Sequence, residues 1–308
     1  AGEPQTRARL LETFALALQG LERGEIGLGM RKRRGLGQCR VTEWTVRRYN
    51  LAVPADLVAW LESGSEQGNA GDHIAALLGV DLSSLREEDA RERFELRATM
   101  ALQGSLLIRS AGESPEAPDM VHLHSMRDGE LVPIISGTSL GGAVRARALR
   151  IANTLFEKDG EALIDGMFGP RIEGQTGGAD PDPRGSRVIV YESEIVGMTD
   201  KVQQRVKIDR FTGGAYPQAL FAQQPLFADG GSETELHLEL RRPADHEIGL
   251  LLLVLKDLWT GDLALGGERS VGRGRMRGCE AALRLQRKDE GATTWTLSAV
   301  APWPLSSS

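Results

Sequence analysis

Ser136, Gly137, Thr138 and Ser139 stand directly ahead of a run in which Leu140, Val144, Ala148, Ile151 and Leu155 recur on one face of a helix. The three hydroxyls are suited to cap that helix, and the free N–H groups of its first turn are a place for a phosphate. Arg145 lies on the same helix, crowded by Arg147 and Arg150. Two further basic sets are interleaved with glycines: Arg31, Lys32, Arg33 and Arg34 near the start, and Arg269, Arg273 and Arg275 near the end. Glycine permits positive φ and close backbone approach, so such loops can lay bare N–H groups against a ligand while guanidinium groups meet its phosphates. His122 and His124, two residues apart, would share one face of a strand and suggest a metal pair or an acid–base histidine, but no third ligand is spaced nearby. The only cysteines, Cys39 and Cys279, read as reduced structural thiols.

The two glycine-rich loops are copies of one another. Leu21 to Arg40 matches Leu258 to Arg277 without a gap, at the constant offset of 237 that carries Gly24 onto Gly261. Leu16, Leu18, Leu21, Gly24, Leu28, Gly29, Gly35, Gly37 and Arg40 all fall on identical residues, and Glu25 and Ile26 fall on Asp262 and Leu263. In each copy an apolar helix stops near a glycine, and the loop feeds a strand. About 23 residues precede the first loop, so the chain is expected to hold the tail of one repeat, residues 1–62, and a complete second repeat, 94–308. The glycine- and serine-containing stretch after residue 62, followed by the charged run Arg86 to Glu92, predicts a linker over 63–93. An isolated helix with one or two strands buries too little to stand alone, so the first part needs a completing segment or chain.

In the second repeat, Phe94 to Leu102 alternates apolar and polar like a half-buried strand. Strands are also expected over Ser186 to Tyr191, Leu236 to Leu240 and 279–286, with a helix over 248–258. The order β, α, β, β, α, β predicts an α+β, ferredoxin-like (RRM-like) domain. A net charge of −6 makes any nucleic-acid surface a basic groove in an acidic shell. No stretch approaches a membrane span and no secretory signal opens the sequence, so no membrane partner and a cytoplasmic address are expected. Trp44, Trp259 and Trp295 do not alternate with basic residues, so they read as core and not as base-stacking platforms.

Four ordered blocks carry a resemblance. These are Pro133 to Arg145; Met167-Phe168-Gly169 with Gly185 to Val188; Lys207 to Ala215 closing on Leu220-Phe221; and Gly266 to Gly274. The set resembles the RAMP superfamily of CRISPR-associated proteins, in particular family-seven Cas backbone subunits of type III effector complexes, and suggests a segment of a multi-repeat fusion. The resemblance implies a guide-RNA-binding domain with a glycine-rich loop and a thumb hairpin, placed within 195–220, that kinks the guide–target duplex. Its partners would be guide (CRISPR) RNA, target RNA, neighbouring RAMP subunits or repeats, and other effector subunits. Guide contact would fall to Ser136, Gly137, Thr138, Ser139, Arg145, Arg269, Arg273, Arg275 and Arg31, Lys32, Arg33 and Arg34.

The resemblance also implies an antiviral endoribonuclease centre. In target-cleaving members an aspartate after the first strand works with a divalent metal, and Asp119 occupies that interval, with Mg²⁺ or Mn²⁺ as cofactor for cleavage only. Following Pro118, Asp119 is equally suited to a plain turn, and Asp128 is the competing position. A non-catalytic RNA-binding subunit therefore stands beside the nuclease reading, and a guide-processing endoribonuclease behind both. A nucleotide-binding enzyme fits less well, because no G-x-x-x-x-G-K-[ST] occurs and the glycine loops follow helices.

Overall fold

A computed structural model describes residues 4–29, 37, 39–62, 68–83, 91–112, 114, 116–127, 129–156, 159–170, 185–288 and 290–299. These fall into two compact units, one up to residue 83 and one from residue 91.

The first unit contains α1 (Pro4–Glu22), β1 (Trp44–Val46), α2 (Pro54–Glu62), β2 (Asn69–Gly71) and α3 (Ile74–Leu78). Strands β1 and β2 pair antiparallel, Trp44 opposite Gly71. Glu22, at the end of α1, ties the unit together: its carboxylate accepts the Trp44 indole N–H at 2.8 Å and the Ile74 backbone N–H at 2.6 Å. Thus part of the stretch expected to be linker carries a strand and a short helix, anchored by buried Ile74. Polar composition at 63–71 suggested a tether, but pairing with β1 and burial of one isoleucine outweigh that local signal.

The second unit begins with β3 (Arg93–Gln103), β4 (Ser105–Leu106), β5 (Arg109–Ser110), β6 (Met120–His122), β7 (His124–Arg127) and β8 (Glu130–Ile135). Helices α4 (Gly137–Phe156) and α5 (Gly160–Phe168) follow, then β9 (Val188–Val190), β10 (Ser193–Asp200), β11 (Gln203–Ile208), β12 (Ala215–Gln224) and β13 (Leu226–Arg241). Last come α6 (Asp245–Trp259), β14 (Arg275–Arg287) and β15 (Gly291–Ser298). The unit is therefore mixed helix and sheet. The main sheet runs β15-β14-β3-β13-β10-β8-β7, with β4 and β9 also paired to β13. A second sheet runs β11-β12-β6-β5.

The period-two pattern of β3 does what its sequence dictates. Phe94, Leu96, Ala98, Met100 and Leu102 are buried on one face, while on the other Arg97 pairs with Glu95 and with Glu235 of β13, and His237 Nε2 lies 3.0 Å from Glu95. Leu140 and Val144 of α4 and Leu251, Val254, Leu255 and Leu258 of α6 pack together over Leu96, Leu236 and Leu238 of the apolar face. Trp259 lies on Gly278, where a Cβ would come within 1.8 Å of its ring, so it is core as expected. Trp295 is 46% exposed on β15, contrary to expectation, since every residue of that edge strand is exposed.

The duplication read from the sequence is reproduced in backbone geometry. Helices α1 and α6 end at equivalent residues, Glu22 and Trp259. Gly24 and Gly261 take φ of 70° and 78°, Gly29 and Gly266 take 79° and 76°, and Gly37 and Gly274 both take 77°. Leu28 N–H donates to the Gly37 carbonyl at 2.7 Å, and Leu265 N–H to that of Gly274 at 2.9 Å. The surroundings differ: Leu265 and Leu263 are buried, whereas their counterparts Leu28 and Ile26 are exposed.

Candidate RNA-binding groove

The second glycine-rich loop is clamped by two backbone hydrogen bonds at and beside β4. Gly267 N–H donates to the Leu107 carbonyl at 2.8 Å, and Gly274 N–H to that of Ser105 at 2.7 Å. Only glycine fits at 274, since a Cβ there would lie 1.8 Å from the Leu265 carbonyl oxygen. So held, the loop forms one wall of an open groove of about 530 Å³ whose other wall is α4. Ala143 and Ala146 keep the helix wall low, Gly261 to Ala264 form the loop wall, and Arg147, Arg150, Arg269, Ser270 and Arg275 ring the opening. Arg147 is anchored through Nε to the Asp257 carboxylate at 2.6 Å. Arg150, Arg269 and Arg275 are exposed and, among the described residues, make no side-chain bond. Three unpaired guanidiniums beside small residues and glycine backbone suit a phosphodiester chain, which offers a negative charge at each step whatever its bases.

The residues anticipated as RNA contacts therefore separate. Arg269 and Arg275 line the groove. Arg273 does not: it is 3% exposed, with Nε 2.8 Å from Glu268 and Nη2 donating to Gln203 at 2.7 Å. Gly272 and Gly274, both at positive φ, turn the chain on either side of it, so alternation along the loop sends this one side chain inward. Arg145 is also committed internally, donating to the Asp165 carboxylate and the Gly169 carbonyl, both at 2.7 Å, which clasps α4 to α5. Ser136 caps α4, accepting the Ser139 N–H at 3.3 Å and donating to the Ser139 hydroxyl at 2.9 Å, with Thr138 Oγ1 3.3 Å away. Ser136, Gly137, Thr138 and Ser139 do not line the groove, whose helix wall begins at Ala143, about 6 Å beyond Ser139 at 1.5 Å per residue. Arg31, Lys32, Arg33, Arg34 and Asp128 lie outside the described residues. Arg150 emerges as a groove residue that charge spacing grouped with Arg145 and Arg147 but could not single out.

Asp119 is exposed just before β6, and its Oδ2 accepts the Ala222 N–H of β12 at 2.8 Å. It thus pins the root of the β11–β12 hairpin, where β12 lies parallel to β6. Among the described residues no three His, Cys, Asp or Glu side chains group to hold a metal. A lone carboxylate still suits Mg²⁺, which retains several waters and takes its other ligands from substrate phosphates.

The two histidines fall on separate strands with ring centroids 5.9 Å apart in an edge-to-face contact, and backbone groups occupy both ring nitrogens of His122. His122 is buried, with Nδ1 accepting the Ile108 N–H at 3.2 Å and Nε2 donating to the Ile134 carbonyl at 3.0 Å. Burial pushes its pKa down to about 4 from the ordinary 6.5. Between those values the unfolded chain binds a proton that the folded chain refuses, so stability is full above pH 6.5 and falls as pH drops toward 4. The loss across that window is about 3 kcal/mol. Urea unfolding of wild type and His122→Gln as a function of pH checks this: the variant should lack that component of the slope.

No helix among the described residues is long and apolar enough to cross a membrane. No curated protein matches the chain. The model of the RAMP superfamily matches residues 104–277, more than half of the sequence and the span from β4 through the groove to β14. The chain belongs to the RAMP superfamily, whose domains are generally RNA-binding modules of CRISPR-associated proteins.

Proposed function

We propose that this chain is a guide-RNA-binding backbone segment of a type III-like CRISPR effector, seating the guide along the α4–glycine-loop groove. The observation that carries this reading is the exposed trio Arg150, Arg269 and Arg275, without a side-chain bond among the described residues, around glycine backbone. Contacts to phosphates alone let one segment accept any guide sequence. The antiparallel order β14-β3-β13-β9, with α4 and α6 on one face, supports a ferredoxin-like domain, fourth strand beside first and first beside third. In this reading the β11–β12 hairpin is the thumb, reaching residue 224 where 195–220 was expected, and it deforms the guide–target duplex. Exposed Leu28 and Ile26, whose counterparts are buried, favour residues 1–62 as the C-terminal part of a preceding repeat, with neighbouring RAMP repeats or subunits and other effector subunits completing the assembly.

Target cleavage is assigned to Asp119. With one carboxylate oxygen held by Ala222 and the side chain exposed at the thumb root, it would orient a target 2′-hydroxyl toward the adjacent phosphate. Asp119 and the RNA's own phosphate would hold Mg²⁺ or Mn²⁺, which when bound supplies charge neutralisation at that phosphate. The non-catalytic reading draws support from the same Asp119–Ala222 bond, which gives the carboxylate a structural task.

The deciding experiment is cleavage of labelled RNA complementary to the bound guide, in the assembled complex with Mg²⁺. Asp119→Asn should lose one cut by at least a hundredfold with guide binding intact. An unchanged cut pattern leaves the chain a structural RNA-binding segment.

A further inference from the structure

Between the glycine-rich loop and the hairpin lies a buried polar cluster that neither the groove nor Asp119 uses. Glu268 sits at its centre. Its Oε1 accepts the Gln223 side-chain N–H at 2.7 Å, and its Oε2 lies 2.8 Å from Arg273 Nε and 3.3 Å from Arg205 Nη1. Arg273 in turn donates to Gln203 at 2.7 Å. Gln203 and Gln223 are directly opposite one another on β11 and β12, so the cluster grips both strands of the hairpin at one rung. Gln223 and Arg273 are each 3% exposed. The carboxylate has two guanidiniums to balance, and burial depresses the Arg273 pKa against the pull of Glu268.

The backbone marks Glu268 as well. It takes φ 55°, ψ 37°, the left-handed region that a long side chain normally avoids, and only one other described non-glycine residue, Arg242, has positive φ. Strain of this kind persists where surrounding contacts over-determine the residue. Here those contacts are the three partners of its carboxylate. The next residue along β12 is also held: Ala222 donates to Asp119, so consecutive residues of the hairpin root are fixed by carboxylates from two different loops.

We propose that Glu268 is a positioning residue, a latch that sets the β11–β12 hairpin against the glycine-rich loop, so that RNA seated beside Arg269 fixes the hairpin and Asp119 together. The second half of this statement rests on the RNA-binding reading; the first does not. The latch reaches the hairpin from the residue directly before Arg269, so immobilising the loop immobilises Glu268.

Hydrogen–deuterium exchange of the full chain, with and without a single-stranded RNA, tests it. The Glu268→Asn/Arg273→Met variant removes the carboxylate and the buried guanidinium together, leaving only Arg205, which is 31% exposed and can be hydrated, and asparagine tolerates the left-handed backbone. It should melt cooperatively and bind RNA within threefold of wild type. Amides of 203–208 and 220–224 should exchange at least tenfold faster, and their slowing by RNA, present in wild type, should vanish. Gln223→Leu, which leaves the charges paired, should give the same change, and Glu268→Gln/Gln223→Glu, which exchanges the partners, should restore slow exchange. Hairpin exchange unchanged in both Glu268→Asn/Arg273→Met and Gln223→Leu overturns the latch. Absence of RNA binding by wild type overturns the RNA-binding reading, and the RNA-free comparison still decides the latch.

Discussion

Replacing Arg150, Arg269 and Arg275 together with alanine lowers affinity for single-stranded RNA at least a hundredfold, and the loss is the same for unrelated sequences. These three cations are exposed, line one groove and, among the described residues, have no carboxylate partner, so truncation removes phosphate contacts without orphaning a described buried group. Each contact to a single strand contributes about 0.7 to the slope of log affinity against log salt, so the slope should flatten by about 2. Filter binding or fluorescence anisotropy across a salt series reads both quantities. Arg145→Ala and Arg273→Ala should leave that slope in place, because both guanidiniums are spent inside the protein, and should lower the melting temperature instead.

The second large effect is on stability. Gly274→Ala costs about 3 to 5 kcal/mol, a drop of roughly 10 °C in melting temperature for a unit of this size. The added methyl would sit 1.8 Å from the Leu265 carbonyl oxygen at a φ of 77°, so the loop must give up the Leu265–Gly274 hydrogen bond that closes it and the Gly274–Ser105 hydrogen bond that holds it to β4. Gly272→Ala isolates the backbone term. Gly272 has φ 88° but open space around it, so that change costs only about 1 to 2 kcal/mol. Calorimetric melts of the two variants separate collision from conformational preference.

The contrast between these two glycines also shows what a sequence can and cannot reveal. That both loops turn at matching glycines was legible from the repeat, since left-handed backbone is written in residue type. The long periodic elements were legible for the same reason: β3, α4 and α6 each present one apolar face over several turns or rungs. The short strands β4 to β8 were not, because two to six residues carry no period and owe their state to partners far along the chain. Side-chain direction was the other failure. Arg269, Arg273 and Arg275 are chemically alike and close in sequence, and only the inward turn at Gly272 and Gly274 and the facing Glu268 and Gln203 separate the internal arginine from its exposed neighbours. Arg145 was drawn from the groove set by Asp165, which lies on a helix that the sequence reading did not place.

Gly24, Gly29 and Gly37 repeat the left-handed backbone of Gly261, Gly266 and Gly274, yet position 31 holds Arg where 268 holds Glu, and position 36 holds Leu where 273 holds Arg. The turning glycines were copied and the residue types between them were not. A chassis that depends on glycine and backbone carbonyls leaves every side-chain position free to diverge after duplication, so each copy can acquire its own attachment to a neighbouring element without rebuilding the turn. In a protein assembled from such copies, stiffness becomes a local property, set repeat by repeat through a few charges.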